Sequence, residues 1–158
     1  MPAKKIALFA LFISLSAVGG MIKIPLGIAS IAMDSMPALA AVLFFSARGA
    51  GLIAAIGHLL SAMLGGFPLG PFHSLIALEM FAAVWLFATL HNAGWRKSKW
   101  LAFIAVNGLV AAVPFYFLLS PAFFYATVPG LLIASSLNAA AASVVMPVLA
   151  AIKEKVLL

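Results

Sequence analysis

Asp34, His58, Glu79, Asn107 and Asn138 are far apart along the chain, yet each stands inside or beside an apolar run. A carboxylate, imidazole or amide in hydrocarbon costs free energy unless it is paired, protonated or facing a ligand. Ionisable groups at that depth turn inward and mark a substrate or ion path. The segment GHLLSAMLGGFPLGPFHSLIALEM, residues 57–80, concentrates the problem. His58 and Ser61 share one helical face at i, i+3. Phe72, Ile76 and Glu79 form a stripe on the next helix, with Glu79 about 12 Å below its outer end. Binding is the chemistry these groups suit. Catalysis is not: Ser61, His58 and Glu79 lack a nucleophile elbow or any other flanking motif of a Ser-His-acid set. His58, His73 and Glu79 lack the HExxH spacing of a zinc site, and there is no P-loop. No catalytic residue, metal or cofactor is therefore expected. His73 ranks below His58 because it lies nearer the surface and off the Glu79 stripe. Asn107 and Asn138 have an alternative role as interhelical glue, worth about 0.6 kcal/mol each.

Aromatic residues gather at the same depth. Phe67, Phe115 and Phe124 suit an interfacial belt. Phe72, Tyr116 and Tyr125 are the candidates to stack on a flat ligand, where an aromatic pair contributes about 0.5–1.5 kcal/mol.

The elements that must position these groups follow from composition. Of 158 residues, 66% are hydrophobic and 8% charged, whereas soluble domains run nearer half and a quarter. Apolar blocks recur at about 5–22, 31–47, 50–65, 72–91, 100–119 and 128–152, close to the roughly 20 residues that span a bilayer. The expected fold is an all-α integral membrane protein, a compact six-transmembrane-helix bundle forming one domain over residues 1–158. The connectors IKIPLGIAS, GGFPLGPFH and SPAFFYATVPG carry Pro, Gly and aromatics, which suits loops shaped over a site.

A net charge of +6 would suggest nucleic acid in a soluble protein. Here the charges report topology. With both termini cytoplasmic, Lys4, Lys5, Arg48, Arg96, Lys97, Lys99, Lys153 and Lys155 all fall inside, and only Lys23 falls outside. That is the positive-inside bias. The first block also has the features of a signal peptide, but an uncleaved helix keeps the even span count. With no cysteine, disulfides and thiolate chemistry are excluded. Trp95 and Trp100, beside RKSK, fit anchors at the inner interface.

Small residues mark helix faces. On the third block Gly51, Ala54, Ala55, His58, Ser61, Ala62 and Gly65 share one side, opposite Leu52, Ile56, Leu59, Leu60 and Met63, so His58 points at protein. On the first block Ala3, Ala7, Ala10, Ser14 and Ala17 alternate by four and three. Such a face lets helices approach closely in lipid, within the chain or against another subunit.

Together, KIPLG followed by SIAMDSMP, then ARGAGLIAAIGHLLSAMLGGFPLGP and ALEM, resembles the substrate-binding S components of energy-coupling factor (ECF) vitamin transporters. The likeness covers essentially the whole chain, including Asp34, Pro37, Arg48 and Gly51 in their D-x-x-P and R-x-x-G spacing. It implies a micronutrient pocket near the outer face, capped by external loops. It also implies delivery through a membrane T subunit and two cytoplasmic ATPase subunits, with toppling of the bundle as the transport motion. The A-x-x-x-A face for the T subunit matches Ala3 and Ala7, continued by Ala10 and Ser14. Segment 57–80 most resembles S components assigned to α-ribazole, the dimethylbenzimidazole nucleoside of cobalamin salvage. Other vitamins such as riboflavin, pantothenate or cobalamin remain open, as does a self-sufficient small transporter or channel.

Overall fold

Helix α1 (Ala3–Met21), α3 (Ala47–Leu64) and α4 (Phe72–Asn92) follow the first, third and fourth apolar blocks closely. Ser46 starts α3 in extended backbone and its Oγ accepts a hydrogen bond from the Gly49 N–H, satisfying one of the orphan donors at a helix start. In this computed structural model, residues 3–26 and 29–156 are described.

The second predicted span, 31–47, is not a single crossing helix. A hairpin comes first, β1 (Lys23–Leu26) antiparallel to β2 (Ala29–Ala32), with Lys23 paired to Ala32. The helix α2 then occupies only Ser35–Ala40 and tightens into a 3-10 turn over Ala41–Leu43. That length rises about 15 Å, half of a hydrocarbon core. Burial is the reason it can be short. Ala38, Leu39 and Ala41 are completely enclosed by the other helices, so the segment needs no lipid-facing surface of its own. The side chains of residues 23–31 and 154–158 lie outside those described, Lys23 and Lys155 among them.

The fifth span is interrupted. Helix α5 (Ser98–Gly108) gives way to a 3-10 turn at Val110–Ala112 before α6 (Val113–Leu118). Pro114 stands in the first turn of α6; lacking an N–H, it cannot continue the i→i−4 ladder and its ring crowds the carbonyl four residues back. Helix α7 runs from Pro121 to Val156, absorbing most of the connector SPAFFYATVPG that composition suggested was a loop. Among the described residues, five helical segments are long and apolar enough to cross a membrane: Ala3–Met21, Ala47–Leu64, Phe72–Asn92, Ser98–Leu118 and Pro121–Lys153. With the short α2 they make a six-part helical bundle.

Close contacts fix the helix order. Gly57 of α3 faces Ser16 of α1 so tightly that a Cβ on Gly57 would strike the serine side chain. Helix α4 returns antiparallel to α3 and α5 antiparallel to α4, with Phe87 against Phe103 at 6.2 Å. The starts of α1, α3 and α5 and the ends of α4 and α7 therefore share one end. Lys4, Lys5, Arg48, Arg96, Lys97 and Lys153 are exposed there, and Lys153 donates to the Leu43 carbonyl. Lys99 instead is buried, donating to His91 Nδ1 at 2.7 Å beside the Trp100 ring. Trp95 is exposed at this end, while Trp100 packs on Phe87 at 4.8 Å. The half of the bundle nearest the basic end is closely packed: Leu39, Ile53, Val84, Phe87, Phe103 and Ala142 are all fully buried in one core.

Candidate functional site

Above that core, toward the opposite end, the helices separate around a cavity of about 290 Å³. Its walls come from α1 (Gly20), the β2–α2 junction (Ala32, Asp34, Ser35), α3 (His58, Ser61, Ala62) and α4 (His73, Ile76, Glu79, Met80). Asn107, Ala111, Ala112 and Phe115 contribute from the interrupted span, and Phe123, Thr127, Leu131, Ala134 and Asn138 from α7. Pro68 and Leu69 close over it from the α3–α4 loop. The 3-10 break lies on this wall, the place where irregular backbone is tolerated at membrane depth.

The loop is shaped by conformations few residues adopt. Gly66, Phe67 and Gly70 all have positive φ, at 77°, 49° and 54°, which glycine tolerates and phenylalanine resists. A polar chain ties this loop to the cavity wall. Asp34 Oδ2 lies 3.4 Å from His58 Nδ1, and His58 Nε2 lies 3.1 Å from His73 Nδ1. His73 Nε2 accepts from the Leu69 backbone N–H at 3.3 Å. A fixed donor at one end and a carboxylate at the other assign the hydrogens. With Nε2 accepting, a neutral His73 carries its hydrogen on Nδ1 and donates to His58, which donates in turn from Nδ1 to Asp34. His58 therefore has both ring nitrogens engaged within the protein, so the ligand hydrogen bond expected of it would require the chain to open. His73, ranked low on its position, is buried and central to this chain.

Asn138 is similarly occupied. Its Oδ1 accepts from the Met36 N–H at 2.7 Å, and its amide donates to Ala32 O at 2.7 Å and Ala134 O at 2.9 Å. It staples α7 to the strand–helix junction that presents Asp34. Asn107 donates to Ser135 Oγ at 2.9 Å, leaving its carbonyl oxygen for the cavity. Glu79 is different. Among the described residues neither of its carboxylate oxygens has a hydrogen-bond partner, and Oε2 is buried.

The structure thus brings Asp34, His58, Ser61, Glu79, Asn107 and Asn138 to one cavity and leaves three expected residues off its lining. Phe72 stands behind the wall, edge-on to Phe115 with ring centroids 5.8 Å apart. Tyr125 is largely exposed and packs with Tyr116 and Phe124 in an outward-facing aromatic cluster. The physical reason is helical phase: on α7 the cavity stripe is Phe123, Thr127, Leu131, Ala134 and Asn138, at i, i+4, i+8, i+11 and i+15. Reading residues 120–130 as a loop hid that stripe, and with it Phe123 and Thr127. The aromatics that line the cavity are Phe115 and Phe123. No group of three His, Asp or Glu side chains among the described residues is arranged to hold a metal.

Ala3, Ala7, Ala10 and Ser14 are exposed along α1, whereas Ala17 turns inward. Helix α1 packs on the bundle through Phe12, Ser16, Gly19 and Gly20 instead.

Comparison with known proteins bears on the whole chain. No curated protein and no solved structure matches it. A family model described as the ECF transporter, substrate-specific component, matches residues 4–152. That match spans every wall of the cavity and all five membrane-length helices except the ends of the first and last. The chain belongs to the family of substrate-specific components of ECF transporters: a membrane protein whose role is substrate binding in transport.

Proposed function

We propose that this cavity is the high-affinity site for a vitamin or vitamin precursor, and that α-ribazole is its substrate. The observation that carries the reading is Glu79: a carboxylate with no hydrogen-bond partner among the described residues, beside a cavity of about 290 Å³ to which all seven α-helices and β2 contribute. Pockets for small ligands are of this size or larger and mostly apolar, with a few placed polar groups. Ile76, Met80, Phe115, Phe123 and Leu131 provide the apolar surface for a flat base, and Glu79, Asn107 and Ser61 provide partners for ribose hydroxyls. Uptake then depends on a T subunit and two ATPase subunits, as the family implies, with the exposed Ala3, Ala7, Ala10 and Ser14 face meeting the T subunit. A self-sufficient channel is disfavoured by the solid core between the cavity and the basic end. Mass spectrometry of the molecule that co-purifies with the detergent-solubilised protein tests the assignment, followed by calorimetry with α-ribazole. Nanomolar to micromolar binding is expected. A protein that arrives empty and takes up neither α-ribazole nor another vitamin would refute a binding role for the cavity.

A further inference from the structure

The unused hydrogen-bonding groups of the cavity are mostly acceptors. Asp34 accepts from Ser35 Oγ at 3.2 Å and faces His58, His58 and His73 bond each other, and Asn138 has committed its oxygen and both amide hydrogens. Thr127 donates its hydroxyl hydrogen to the Phe123 carbonyl. What remains for a ligand is the Glu79 carboxylate, the Asn107 carbonyl oxygen, and the hydroxyl oxygens of Thr127 and Ser61. The hydrogens left to give are the Ser61 hydroxyl and the second N–H of the Asn107 amide, so acceptors outnumber donors. Among the described residues no lysine or arginine lines the cavity, while Asp34 and Glu79 both do.

We infer that the cavity selects an uncharged or cationic ligand that presents hydrogen-bond donors, N–H or O–H, to Glu79 and Asn107, and that it rejects carboxylate- and phosphate-bearing molecules. This rests on the reading of the cavity as the ligand site and adds the chemical class that the site accepts. The physical basis is desolvation. An anion entering loses its hydration, meets no lysine or arginine among the described residues and approaches the Asp34 and Glu79 carboxyl groups, whose negative charge repels it strongly in a low-dielectric setting. A donor-bearing ligand instead supplies the partner that the Glu79 carboxylate lacks, and hydrogen bonds to a charged group are among the stronger ones. The sign of the wall thus acts as a filter separate from shape, disfavouring one class rather than only favouring another.

The test uses the full chain in detergent, stripped of any co-purified molecule, with four probes in calorimetry. α-Ribazole is the uncharged nucleoside, thiamin the cation, and pantothenate and biotin the anions. Binding of α-ribazole or thiamin is expected, with the two anions at least a hundredfold weaker. Glu79→Gln keeps the shape but removes the charge; it is expected to weaken the bound probe about tenfold and to narrow the gap to the anions, with an unchanged melting temperature marking an intact fold. An anion bound within tenfold of the best probe would overturn the inference while leaving the ligand site standing, as would a folded Glu79→Gln protein of unchanged affinity. Failure of all four probes to bind an empty protein would overturn the ligand site and the inference together.

Discussion

Asn138 and Ser16 are both buried polar side chains on helices, and they make opposite demands. Asn138 closes three hydrogen bonds, two of them to backbone groups of the strand–helix junction that no other side chain serves. Ser16 is fully enclosed, and among the described residues its hydroxyl has no partner. Leaving buried donors and acceptors unmet costs about 1–3 kcal/mol, whereas deleting a group that was never paired costs nothing. Asn138→Ala is therefore expected to lower stability by about 1–3 kcal/mol, and Ser16→Ala to leave it unchanged or raise it slightly. Denaturant or thermal unfolding in detergent distinguishes the two. The sequence placed both residues inside the membrane, but it could not say which was bonded. Depth follows from position along a helix, whereas pairing depends on the segment that packs opposite. For Asn138 that segment is the turn after β2, a feature absent from any apolar-run reading. His73 shows the same limit. Its distance from the helix end is legible, but its contact with His58 exists only because the loop folds back.

At the scale of elements, the α3–α4 loop and the β2–α2 junction are joined through the cavity wall. Leu69 sits at one end of the hydrogen-bonded chain and Asp34 at the other, with two imidazoles between them. His73→Ala removes the link that holds the loop down. Faster ligand dissociation is expected, by about tenfold for the loss of roughly 1.4 kcal/mol, with a smaller change in association; stopped-flow exchange measures both. An unchanged dissociation rate would mean that the left-handed turn at Gly66–Gly70 holds the loop unaided. Element boundaries were legible to within about three residues where an apolar run meets a polar or basic connector, as for the spans read at 50–65 and 72–91, which fold as α3 and α4. They were not legible where tertiary enclosure replaced lipid. The α2 segment is short because the bundle surrounds it, and α7 runs long because Pro121 suits a helix start while Pro129 and Pro147 are accommodated within it.

At the scale of the whole molecule, the proposed function gives two surfaces separate tasks. The cavity is internal and lined by nearly every element; the small-residue stripe of α1 is exposed on the outside. The two should be separable by mutation. Ala7→Leu adds bulk to an exposed position and is expected to leave ligand affinity within twofold while reducing cellular uptake severalfold. Calorimetry and a radiolabelled uptake assay report the two effects independently, and normal uptake would remove α1 as the docking face.

The solid packing of Leu39, Ile53, Val84, Phe87 and Phe103 beneath the cavity has a consequence for the cell as well. A copy waiting for its energising partners is expected to offer ions no route through that core. Such a copy is expected to leave the proton gradient intact. Vesicles holding the chain alone are expected to retain an imposed pH difference as long as empty ones do.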